Sequence, residues 1–186
     1  MSCGSIILLN GPSSSGKTTL ARQLQAVIPE PFWQYSMDLF RDARVLPWER
    51  IERGEFHWPQ LRAQVHEGYQ RSLAAFAQGG NNLIADYIVE TEASRDRLVE
   101  LLNGLDVLFV GVHCALPELE RREIARGDRR RGEARVDFDT THRLCSYDVE
   151  VDSTAGAVEE MAQTVLRAWV ERQSPSAFEG MRRARA

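Results

Sequence analysis

Eight residues near the start of the chain, Gly11-Pro12-Ser13-Ser14-Ser15-Gly16-Lys17-Thr18, satisfy the pattern G-x-x-x-x-G-K-T. Small residues let successive backbone N–H groups curl around phosphate oxygens, and a helix that follows directs its positive dipole end at the same anion. Gly11, Pro12, Ser13, Ser14, Ser15, Gly16, Lys17, Thr18 and Thr19 are therefore expected to hold a nucleoside triphosphate. Lys17 would reach the β/γ-phosphates and the Thr18 hydroxyl would ligate Mg²⁺, so ATP and Mg²⁺ are the expected cofactors. The flanks decide against a chance Gly/Ser turn. The apolar run Ile6-Ile7-Leu8-Leu9 precedes the loop and a helical pattern from Thr19 to Ile28 follows it.

Phosphoryl transfer also needs a metal, an oriented acceptor and positive charge for the transition state. Asp38, at the end of the second apolar run, can take a hydroxyl proton, or it can cap the helix through Leu39, Phe40 and Ala43. Asp86 ends Leu83-Ile84-Ala85, a strand-end position from which a carboxylate holds Mg²⁺ or orients substrate; a plain turn residue is the bland alternative. Arg126 and Arg129 lie in an arginine-dense segment bracketed by Gly127 and Gly132, as a closing lid requires. Arg121, Arg130 and Arg131 read as solvated charges offset by Glu118, Glu120 and Glu123. Leu46, Trp48, Ile51, Phe56 and Trp58, with Arg44 and Arg50 between them, suit either an aromatic acceptor pocket or ordinary packing. His142 reads as structural, His57 and His66 lack partners at metal spacing, and Asp152-Ser153-Thr154 forms a turn against which adenine could stack.

These residues need a scaffold that gathers strand ends. Strands are expected at Ser5–Asn10, Trp33–Met37, Asn82–Asp86, Val107–Val112 and Tyr147–Val151. Helices are expected over Lys17–Val27, Trp58–Ala77, Glu92–Leu102, Pro117–Arg126 and Ala155–Glu171. Alternating strands and helices predict an α/β fold of the P-loop NTPase kind: a five-stranded parallel sheet flanked by helices, with an Arg-rich lid. Ligands then sit at the carboxyl ends of the strands, where Asp38 and Asp86 fall. One kinase domain over residues 1–173 is expected, with 174–186 as a flexible tail because Pro, Ser, Gly and Arg dominate it.

The net charge of −4 gives no support for a nucleic-acid partner. No apolar run nears the ~20 residues of a membrane span, and no secretory signal is visible. Cys3, Cys114 and Cys145 form no C-x-x-C pair, so neither a zinc site nor a disulfide framework is expected. A cytoplasmic location follows as an expectation.

The strings Leu9-Asn10-Gly11, Met37-Asp38, Leu105 to Val112, Ala125-Arg126-Gly127-Asp128-Arg129 and Tyr147 to Thr154 resemble the chloramphenicol phosphotransferase family of small-molecule kinases. The resemblance runs from about Ile6 to Leu166. It implies ATP-dependent phosphorylation of an antibiotic hydroxyl, hence resistance by O-phosphorylation, with Asp38 as base, Lys17 as the phosphate lysine, and Arg126 and Arg129 in the lid. Residues 41–69 match poorly, so kinase activity is better supported than chloramphenicol as acceptor. Two alternatives stay open: a metabolic kinase for a nucleoside or sugar acid, and a nucleotide-dependent binding module.

Overall fold

Two apolar layers on opposite faces of one sheet organise the chain. The computed structural model describes residues 2–126 and 132–184. Its strands are β1 (Ser5–Asn10), β2 (Phe32–Ser36), β3 (Asn82–Tyr87), β4 (Asp106–His113) and β5 (Val149–Asp152). They form a parallel sheet in the order β2-β3-β1-β4-β5. The helices are α1 (Lys17–Val27), α2 (Met37–Asp42), α3 (Trp48–Glu52), α4 (Trp58–Gln78), α5 (Glu92–Leu101), α6 (Leu116–Arg126), α7 (Glu133–Thr140), α8 (Val158–Val170) and α9 (Ala177–Arg183).

β1 shows why a continuous apolar run folds as a central strand. Ile6 and Leu8 point to one face and Ile7 and Leu9 to the other, and all four are fully buried. Tyr69 and Leu73 of α4, Leu98 of α5 and Phe178 of α9 cover the first face. Leu20 and Leu24 of α1 and Met161, Val165 and Trp169 of α8 cover the second. Each such side chain contributes roughly 1.5–3 kcal/mol when fully buried.

The connection leaving β1 crosses the second face and the connection leaving β3 crosses the first. Their adjacent carboxyl ends therefore open a crevice, the place where open α/β sheets bind ligands.

Three details depart from the sequence expectations. β2 stops at Ser36 because α2 begins at once with Met37. β5 starts at Val149, and Tyr147 before it lays its ring against Phe109, with centroids 4.9 Å apart. Residues 174–184 are not a loose tail. Ser176 and Glu179 form a reciprocal capping box that starts α9, and Phe178 is buried edge-on against Phe109. Asp148 adds an acceptor for the Ala177 N–H at 2.6 Å. A short run with two apolar anchors and a proper cap docks as a helix despite its polar composition.

Candidate active site

The loop between β1 and α1 is shaped by its glycines. A Cβ on Gly11 would lie 2.3 Å from the Val112 carbonyl oxygen and 2.9 Å from Ser15 Oγ, so only glycine lets the loop cross β4 this closely. Gly16 has φ +89°, a left-handed turn that aims the next N–H groups inward. Lys17 is buried, and its ammonium donates to the carbonyls of Gly11 and Pro12, both at 2.8 Å. The hydroxyls of Ser14 and Ser15 are buried without a hydrogen-bond partner among the described residues. Asn10 braces the loop from beneath. It donates to the Tyr147 hydroxyl at 2.7 Å and accepts from the Val89 N–H at 2.9 Å.

Sheet register sets the carboxylates beside the loop. Asp86 lies alongside Leu9 on one side and Ser36 on the other. The Ser36 hydroxyl donates to Asp86 Oδ1 at 2.8 Å, and the Thr18 hydroxyl donates to Oδ2 at 3.2 Å. Burial raises the pKa of Asp86 above the ordinary carboxylate range. The Lys17 charge and the two hydroxyl bonds oppose that rise, and the nearby Asp38 charge adds to it. Ser36 also accepts the Asp38 N–H at 3.1 Å, so Ser36 takes the role at the start of α2 that Asp38 could have played. Asp38 lies inside the first turn of α2 and lines the same cleft as Asp86.

That cleft measures about 1340 Å³. Leu46, Trp48 and Trp58 form part of its wall, with the two indoles 4.8 Å apart. Ile51 and Phe56, expected there, do not line it. Phe56 stacks under the Arg50 guanidinium, and Arg44 and Arg50 pair with Glu49 and Glu55 at the surface. The polar groups on the wall are instead Arg62, forked onto Glu90, and His66, whose Nδ1 is 2.9 Å from the Tyr87 hydroxyl. Burial lowers the basicity of His66.

The opposite wall comes from α6 and α7. Arg126 lines the cleft, whereas Arg129 lies outside the described residues. Arg122, one turn before Arg126, clasps the turn after β5. Its guanidinium donates to the Ser153 carbonyl at 2.6 Å and to Ser153 Oγ at 3.1 Å, and Ser153 Oγ donates to the Ser15 carbonyl at 2.7 Å. Glu123, buried on α6, accepts the N–H groups of Gly132 at 2.8 Å and Ala134 at 2.9 Å, which hold it below the ordinary carboxylate range and cap α7 from outside. Asp137 of α7 accepts the Ser13 N–H at 2.9 Å. Neither Ser36 nor Asp137 stands out in the sequence, while Arg122 carries a faint signal, its spacing of one helical turn from Arg126.

His142 packs against neighbouring rings. Its ring stacks on His113 at 3.8 Å and its Nδ1 is 2.8 Å from the Tyr147 hydroxyl. Burial lowers its basicity to about 4.

Among the described residues no group of three or more His, Cys, Asp and Glu side chains could hold a metal by itself, and no helix is long and apolar enough to cross a membrane. Thr18 and Asp86 form a hard-oxygen pair of the kind Mg²⁺ accepts when waters and phosphates supply the remaining ligands.

A phosphate loop opening from the centre of a helix-covered parallel sheet, with one acid at the neighbouring strand end and another in the helix that follows the next strand, defines a kinase-type phosphotransferase. The chain belongs to the chloramphenicol phosphotransferase-like protein family, whose model matches residues 4–170. Relatives from two strains of Mycobacterium tuberculosis, CDC 1551 and H37Rv, bear names that provisionally call them O-phosphotransferases. They are 34% identical, over 97% of this chain and 88% of theirs. The fold resembles that of the M. tuberculosis APS kinase bound to AMPPNP and APS, with TM-score 0.69 at 16% identity over 91% of this chain and 99% of that one. It also resembles the shikimate-bound shikimate kinase of Acinetobacter baumannii, with TM-score 0.63 at 15% identity over 92% and 96%. A tunicamycin resistance protein of Deinococcus radiodurans shares it too, with TM-score 0.65 at 20% identity over 92% and 97%.

Proposed function

We propose that this enzyme transfers the γ-phosphoryl group of ATP to a hydroxyl of a ring-bearing small molecule, with an antibiotic as the favoured acceptor and resistance by O-phosphorylation as the outcome. One observation carries the reading: Asp38 and Asp86 share a single cleft with the Lys17–Thr18 loop and with the Trp48–Trp58 wall. The acceptor hydroxyl sits between the indoles and Asp38. Asp38 takes its proton as the oxygen attacks phosphorus, and ADP departs. Lys17 and the loop N–H groups hold the phosphates, and Arg126 and Arg129 offset the charge that develops on them. Thr18 and Asp86 would hold Mg²⁺, which supplies further neutralisation of the phosphate oxygens. The Arg62 guanidinium is already forked onto Glu90, which favours an uncharged acceptor over anionic ones such as the APS and shikimate that the structural neighbours bind.

The test is Asp38→Asn with an acceptor found by screening for one added phosphate in mass spectrometry. ATP binding should persist while turnover falls by at least about a hundredfold, the range of general-base catalysis. Full turnover in the variant would remove Asp38 as the base. Absence of phosphorylated product across neutral and anionic hydroxyl compounds would point instead to a nucleotide-dependent binding module.

A further inference from the structure

We infer that Asp137 is a built-in competitor for nucleotide phosphate, which holds α7 down on the phosphate loop until a triphosphate displaces it. The inference rests on the nucleotide reading above. The Ser13 N–H is one of the donors of the phosphate-loop motif, and here a carboxylate oxygen of Asp137 takes it at 2.9 Å. A carboxylate satisfies such a donor as a phosphate oxygen does. The contact is long-range in the chain, so it fixes one element against another and is not the closing bond of a local turn.

The position within the loop says which phosphates are opposed. The Lys17 ammonium sits on the carbonyls of Gly11 and Pro12, immediately before Ser13. That lysine serves the β/γ end of a nucleotide in loops of this pattern. Asp137 therefore guards the β/γ end, and adenine and the α-phosphate lie farther from it.

The rest of α7 is built to make the contact count. Glu123 pins the first turn of the helix to α6 through Gly132 and Ala134, which leaves the helix anchored at its start. Asp137 then fastens the helix one turn farther on. Release of Asp137 by an incoming triphosphate would free this part of α7 from the loop, while Arg122 of α6 keeps its hold on Ser153. Nucleotide entry and release of α7 from the loop are thereby one event.

The experiment compares ATP and AMP binding, by calorimetry, to the full-length protein and to Asp137→Asn, which keeps the acceptor oxygen and loses only the charge. ATP should tighten about tenfold, equivalent to ~1.4 kcal/mol, while AMP changes by less than about twofold. ATP affinity equal to or weaker than the parent's would overturn the inference, and so would AMP tightening as much as ATP. Asp137→Ser removes the same charge with a different shape and must agree with Asp137→Asn. Disagreement between them would also overturn it. If the parent protein binds no ATP, the nucleotide reading itself falls, an outcome distinct from ATP binding that ignores the substitution.

Discussion

Ser36 is the hinge of the acid pair, and Ser36→Ala tests the electrostatics of the site. The hydroxyl donates to the buried Asp86 carboxylate at 2.8 Å while accepting the Asp38 N–H at 3.1 Å. A hydrogen bond to a charged group is worth about 1.5–3 kcal/mol. Thr18 still donates to Asp86 in the variant, so the low end of that range is expected, about a tenfold effect. The sign follows from which form the bond favours. Ser36 stabilises the ionised carboxylate, so its removal pushes Asp86 further in the direction that burial already drives it. Mg²⁺ binds the ionised form alone. Mg²⁺-dependent ATP binding should therefore weaken about tenfold on the acid side of the profile, with the loss shrinking towards neutral pH. ATP titrations across a pH series, with and without Mg²⁺, give the comparison. Ser36→Thr keeps the hydroxyl and should restore the parent profile. Superimposable Mg²⁺ dependence for Ser36→Ala and the parent at every pH would refute the assignment of Asp86 to the metal.

His142 is kept neutral by burial, with its basicity lowered from 6.5 to about 4. Its contribution is present above pH 6.5 and is lost as pH falls through that window. His142→Gln should flatten the stability profile between those limits by roughly 1–3 kcal/mol, read by urea unfolding, and an unchanged slope would contradict a buried neutral imidazole. Phe178→Ala removes the anchor of α9 from Phe109 and should cost about 3 kcal/mol by the same assay, while ATP binding persists. A loss below about 0.5 kcal/mol would mean that α9 does not stabilise the domain.

The parts of the site that were legible in the sequence are those where backbone chemistry dictates residue type. Only glycine fits where a Cβ on Gly11 would strike β4, and only a buried run such as Ile6–Leu9 can pack both faces of a central strand. Asp86 was legible as the polar stop of such a run, and the register then sets it beside the loop. The place of Asp38 beside the cleft was legible, but the hydrogen bond that Ser36 makes to its N–H was not. A Ser two residues earlier gives no sequence-level sign that it will bind both a helix N–H and a carboxylate on the adjacent strand. The aromatic wall was half legible. Trp48 and Trp58 converge on the cleft, whereas Phe56 turns to a surface arginine, a choice made by short helices with weak periodicity. Arg62, Glu90 and Asp137 escaped notice because their partners are distant in the chain and their types are ordinary for exposed helices and loops. The C-terminal helix was misread from composition, since one well-placed Phe and a capping box outweigh a polar average.

The order of strands bears on how the polypeptide is made. Within the sheet, the strand earliest in chain order lies at the middle, with Ile6 paired to Leu83 on one side and Val107 on the other. On the ribosome, four of the most water-averse residues in the molecule must therefore wait for their second flanking strand until more than half of this sequence has emerged. Distant pairing of this kind makes folding slow and leaves early intermediates prone to clumping. Yield in a heterologous host should accordingly respond to translation speed and to holding chaperones more than to changes at the protein's surface.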